Sequence, residues 1–254
     1  MKLRVLGCSG GIGPGRRTTS LLINDNILID AGSGVGDLTL EEMSKIEHVF
    51  LTHSHLDHVG FLPLMVDSIF SDIEKPIVVH SQAVTIQALK DHIFNWIIWP
   101  DFSKLPKPSQ PVLKFKSMAP DETLLIDDVL FQMIEMSHTV PAVSYRVEKA
   151  GRSIAFSGDS SSNDNFWNRL NNYLDLDILI VESAFSDNQY DLALSSRHYT
   201  PSLLMADLKK LKHKPEIYLS HFKPGGEQEI VDEFKRLAPN FEFKILQNGM
   251  VITL

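Results

Sequence analysis

Thr52-His53-Ser54-His55-Leu56-Asp57-His58-Val59-Gly60 sets three histidines and one aspartate within six residues, directly after the apolar run His48-Val49-Phe50-Leu51. A short apolar run of this kind predicts a buried strand. Imidazole and carboxylate donors at this density suit zinc, manganese or iron, and with Cys8 the single cysteine no sulfur site is available. If the backbone stays extended past Leu51, His53 and His55 project to one side and can share an ion. A helix predicted over residues 59–71 leaves Asp57 and His58 near its N-terminus, in reach of a second ion. The competing reading is a polar loop with chance histidines, but a surface tract would not sit tight against a buried strand.

Working outward, 254 residues are ample for a sizeable core. The composition, 43% hydrophobic and 22% charged, is that of an ordinary globular protein. A net charge of -8 argues against a broad basic surface and so against long nucleic acid as a partner. No apolar run approaches the roughly 20 residues of a membrane span. The opening Met1-Lys2-Leu3-Arg4-Val5-Leu6-Gly7 reads as a strand rather than a leader, and one cysteine suits a reducing compartment, so the expectation is a cytoplasmic protein without a membrane partner.

Along the chain, a strand at 3–6 precedes a glycine-rich loop at 7–15, which lacks the Gly-Lys-Ser/Thr ending of a nucleotide-binding loop. Strands at 19–23 and 27–30 form a hairpin across Asn24-Asp25-Asn26. Asp30 is expected to order neighbouring loops without ligating. A strand at 76–80 and a helix at 84–94 lead to the aromatic-rich segment 95–102, read as core packing, a dimer contact or a substrate wall. Strands at 113–116 and 129–136 follow, the second ending near His138, and a hairpin of 144–148 and 153–157 delivers Asp159. A helix at 164–173 capped by Asn163 or Asp164 comes next, then a strand at 177–181 and an irregular span at 184–197. His198 then opens a helix with Thr200 as N-cap and Pro201 in its first position, running to 211. A strand at 217–220 delivers His221, and a helix at 227–237 precedes strands at 241–246 and 250–253. Strand, polar residue, loop and helix recur in both halves. This predicts one α/β domain over 1–254, built of paired sheet-and-helix layers with a site at one edge. His48, His80, His92 and His213 are assigned structural places.

His53-Ser54-His55-Leu56-Asp57-His58 resembles the His-x-His-x-Asp-His signature of the metallo-β-lactamase superfamily, whose fold is a four-layered αββα sandwich of two mixed sheets flanked by helices. The resemblance implies that His53, His55 and His138 hold one divalent ion, that Asp57, His58 and His221 hold a second, and that Asp159 bridges them. Zinc is the first expectation, with manganese or iron as alternatives. Two such ions about 3.5 to 4 Å apart provide hydroxide near neutral pH and offset charge on a phosphoryl or carbonyl oxygen. Asp57 would orient that nucleophile, and His198 would protonate the leaving oxygen or contact the substrate.

Four further stretches are similar to class II cyclic-nucleotide phosphodiesterases: Gly158-Asp159-Ser160 with Asp164 and Trp167, Val181-Glu182-Ser183-Ala184-Phe185, His198-Tyr199-Thr200-Pro201, and Ser220-His221-Phe222-Lys223-Pro224. They imply hydrolysis of the 3′,5′-cyclic phosphodiester of cAMP or cGMP, with Lys223 steadying the phosphate and a homodimer as the working form. Two departures leave substrate choice open. Ser160-Ser161-Ser162-Asn163 stands for a Thr-Gly-Pro-Asp-like run, and Arg197-His198-Tyr199 stands for Gly-His-Leu. A ribonuclease Z-like tRNA 3′ endonuclease shares the metal set, but the acidic balance disfavours docking tRNA.

Overall fold

The computed structural model describes residues 1–254. The chain forms two compact units, one of residues 1–7, 17–119 and 248–253, the other of residues 8–16, 120–247 and 254.

The first unit is built on a seven-stranded mixed sheet in the spatial order Val251–Thr253, Lys2–Gly7, Ser20–Ile23, Ile27–Ile29, His48–Phe50, Ile77–Ser81 and Leu113–Ser117. The first three pairings are antiparallel and the last three parallel. Successive residues of a strand point to opposite faces. On one face Leu22, Leu28, Val49 and Val79 pack with Leu62, Met65 and Val66 of helix Leu62–Ser68 and Leu89 of helix Ala83–His92. Leu21, Ile23, Ile29 and Phe50 alternate with them and are equally buried, so both faces are shielded from water. Burying each such side chain contributes about 1.5–3 kcal/mol.

The second unit repeats the scheme with strands in the order Lys244–Ile245, Glu216–Ser220, Ile178–Glu182, Arg152–Phe156, Ala142–Lys149, Val129–Met136 and Thr123–Ile126. Its first three pairings are parallel and its last three antiparallel. Helices Asp164–Leu170, Pro201–Leu208 and Glu227–Leu237 lay Trp167, Leu204 and Phe234 on Leu179, Val181 and Leu219. In this topology the strands ending at Met136, Phe156, Glu182 and Ser220 all run the same way. The residues after them therefore gather at one edge of the sheet, where open α/β sheets place their ligands.

Local structure departs from the sequence reading in several places. The helix expected at 59–71 is two, Leu56–Val59 and Leu62–Ser68. Pro63 in the first turn of the second has no N–H to continue the ladder, so a new helix starts there. Asp57 and His58 consequently lie inside a first turn whose N-cap is His55, and the strand before them stops at Phe50. The irregular span at 184–197 contains a 3-10 turn, Asp187–Gln189, and a helix, Tyr190–Ser196, which buries only Ala193 and so shows no apolar stripe. Thr123–Ile126 is a strand that the sequence reading left out. The aromatic segment 95–102 divides: Phe102 is core, Trp99 packs against it, and Trp96, Ile97 and Ile98 are exposed. No helix is long and apolar enough to cross a membrane.

Candidate metal centre

In the first unit, the turn after His48–Phe50 carries His53, His55, Asp57 and His58. His53 and His58 are fully buried, while His55 and Asp57 are partly exposed. Asp30, at the end of the neighbouring parallel strand, organises the turn. Its buried carboxylate accepts from Thr52 N at 2.8 Å, from Thr52 Oγ1 at 2.9 Å and from His58 Nδ1 at 2.7 Å. Burial pushes Asp30 up from the usual carboxylate range, opposed by His58 and the Thr52 donors. Thr52 Oγ1 also lies 3.0 Å from His53 Nδ1. Both Nδ1 atoms are thus engaged on one side, which turns each Nε2 the other way; carboxylate and hydroxyl partners of this kind orient imidazoles in metal sites. The loop can pass this close because residue 32 is glycine. A Cβ there would lie 2.2 Å from the Asp57 carbonyl oxygen.

In the second unit, His138, Asp159 and His221 each follow a strand and are buried. His138 Nδ1 is 3.0 Å from the Arg197 carbonyl oxygen, again turning Nε2 the other way. His221 adopts φ +61° and sets Nε2 3.1 Å from Asp159 Oδ2. Its segment is laced to the glycine-rich loop: His221 N donates to Cys8 O at 2.7 Å and Gly10 N to Phe222 O at 3.0 Å. A Cβ on Gly10 would lie 2.6 Å from the His221 carbonyl oxygen, so glycine is required for this approach. Lys223 Nζ donates to Gly10 O at 2.8 Å, which turns the lysine onto this loop.

His198 is held differently. Its Nδ1 lies 2.7 Å from Glu182 Oε1, and its ring stacks on His221 and meets His138 edge-on. Glu182 also accepts from Ser160 N at 2.8 Å, Ala184 N at 3.0 Å and Tyr199 N at 3.2 Å. Burial pushes the Glu182 carboxyl up from its usual range, opposed by His198 and by the N–H donors that converge on it. Burial works against charge on His198, yet the adjacent Glu182 carboxylate and Asp159 outweigh it, and its pKa is raised. The sequence reading gave Glu182 no role. Its placement at a strand end, beside a serine, was the available signal.

Within the first unit a ligand atom of His53 lies within 4.8 Å of one of His55, and one of Asp57 within 4.8 Å of one of His58; within the second, carboxylate oxygen of Asp159 lies within 4.8 Å of ring nitrogens of both His138 and His221. The donor set, imidazole nitrogen and carboxylate oxygen without sulfur, fits divalent zinc, manganese or iron.

A family model described as β-lactamase superfamily domain matches residues 25–222. The chain belongs to this superfamily. It is accordingly a metal-dependent hydrolase of the metallo-β-lactamase fold, with the two mixed sheets flanked by helices expected from its sequence. A probable 3′,5′-cyclic-nucleotide phosphodiesterase of Yersinia pestis is 24% identical over 274 residues, covering 88% of this chain and 78% of that protein. A probable metallo-hydrolase of Bacillus subtilis, YhfI, is 24% identical over 265 residues and 99% of both chains. The solved structure of unliganded yeast PDE1 superposes with a TM-score of 0.83 at 18% identity, covering 100% of this chain and 99% of that one.

Proposed function

We propose that the chain hydrolyses 3′,5′-cyclic nucleotides as a dinuclear metal phosphodiesterase. In this reading His53, His55 and His138 hold one ion, Asp57, His58 and His221 hold the other, and Asp159 is shared. The observation that carries it is His198: buried, fixed at Nδ1 by Glu182, with its ring against those of His138 and His221, it is placed to give a proton at Nε2. A leaving alkoxide needs such a donor. Two divalent ions held there, zinc first, would supply a water of lowered pKa and offset charge on the phosphoryl oxygens. Asp57, partly open to solvent, would orient the attacking water and collect its proton. His198 protonates the leaving 3′ oxygen and contacts the phosphate. Lys223 keeps donors beyond the one given to Gly10, which suits it to steady the same phosphate.

The cyclic substrate follows from the likeness to the Yersinia protein over most of the chain, and the net charge of -8 favours a small anion held by metals over a long nucleic acid held by a basic surface. Exposed Trp96, Ile97 and Ile98 support a homodimer, and the single cysteine supports a reducing compartment such as the cytoplasm. The test is turnover of cAMP, cGMP, a precursor tRNA and a generic aryl phosphodiester by protein loaded with zinc or manganese. A cyclic nucleotide as the preferred substrate is the expected result; cleavage of tRNA alone overturns the proposal.

A further inference from the structure

Helix Tyr190–Ser196 ends at Arg197 with φ 54° and ψ 56°. A helix C-terminus that turns left-handed normally uses glycine, because a side chain at positive φ crowds the following carbonyl. Arginine therefore occupies this corner at a conformational cost, and its side chain reaches back to the residue that its main chain already touches. Arg197 Nη1 donates to the His138 carbonyl oxygen at 2.7 Å, while the Arg197 carbonyl oxygen lies 3.0 Å from His138 Nδ1. The two contacts close a ring between residues 59 positions apart in sequence. The carbonyl alone would orient the imidazole; the guanidinium fixes the main chain that carries it. The next residue, His198, is pinned independently by Glu182, with its ring centroid 5.0 Å from that of His138.

The geometry points to Arg197 as a positioning residue that holds His138 in the Nδ1–H tautomer, with Nε2 presented for metal, and sets the spacing of His138 from His198. This rests on the metal-centre reading above and adds to it the agent that orders one ligand. A glycine at 197 relieves the left-handed strain and keeps the carbonyl acceptor, so loss of the guanidinium contact can be separated from loss of folding. The experiment compares wild type, Arg197→Gly and Arg197→Lys at pH 8. Its readouts are metal-free melting temperature, zinc affinity by competition with a chromophoric chelator, and the His138 tautomer from imidazole 15N shifts of the metal-free protein.

In Arg197→Gly we expect an unchanged or higher melting temperature, zinc affinity about 10-fold weaker, and a mixture of His138 tautomers. Arg197→Lys, which keeps a donor on a flexible stem, is expected to recover part of the affinity. Wild-type affinity with a single tautomer in Arg197→Gly overturns the inference, as does a weaker affinity accompanied by a lower melting temperature and no recovery by lysine. A wild-type protein that binds no zinc, yet whose His138 tautomer still shifts in Arg197→Gly, defeats the metal-centre reading while supporting the clamp.

Discussion

Asp30→Asn isolates what a buried carboxylate does for His58, the proposed metal ligand beside it. The two side chains have the same size, so packing is preserved, but the amide has one accepting atom where the carboxylate has two. With the amide oxygen kept on Thr52 N, where Asp30 Oδ1 now sits at 2.8 Å, the NH2 group occupies the Oδ2 place 2.7 Å from His58 Nδ1. His58 then accepts at Nδ1 and carries its proton on Nε2, the atom needed for the ion. Restoring the ligating tautomer would set two N–H groups against each other in a site of zero exposure. Each buried donor left unsatisfied costs about 1–3 kcal/mol, so the combined penalty is about 2–6 kcal/mol. At about 1.4 kcal/mol per tenfold, zinc affinity should fall by roughly 30-fold or more. Chelator competition measures the affinity, and the melting temperature of metal-free protein, expected to shift little because the hydrogen bonds are kept, controls for folding. A folded Asp30→Asn protein that binds zinc like the wild type would refute the reasoning.

Three shorter predictions follow from the same geometry. His198→Ala should lower turnover by about 10²–10⁴-fold while both ions remain by elemental analysis, the range expected for a general acid; undiminished turnover would remove its role. Asp159→Ala, deleting the carboxylate proposed to be shared by both ions, should lower metal content, and full occupancy would contradict a shared ligand. His80 tests linkage away from the centre: burial, then the neighbouring His48, lower its pKa from 6.5 to about 3. Between those values the unfolded chain binds a proton that the folded chain does not, so stability present above pH 6.5 is lost as pH falls, by about 1.4 kcal/mol per unit. The stability advantage of wild type over His80→Gln in urea should therefore shrink by about 2 kcal/mol between pH 7 and pH 5; an equal advantage at both would refute it.

The elements that sequence alone determined are those whose cause is local. Helix Glu227–Leu237 was legible to the residue because one apolar stripe, Ile230, Val231 and Phe234, recurs at helical spacing. The hairpin expected at 144–148 and 153–157 from the turn Ala150-Gly151 is present as Ala142–Lys149 and Arg152–Phe156. The ligand-rich turn at 53–58 was legible because its donors are neighbours in sequence. What only tertiary structure decided is the orientation of those donors. Asp30 reaches His58 across 28 positions, Glu182 reaches His198 across 16, and Arg197 reaches His138 across 59. No local period encodes such pairs, since each joins a residue beside a strand end to one on a turn or loop that the fold brings to it from elsewhere in the chain. Sequence thus named the candidate donors, and the fold selected which nitrogen of His53, His58 and His138 is engaged by a neighbour, because a tautomer is fixed by the partner that the other nitrogen meets.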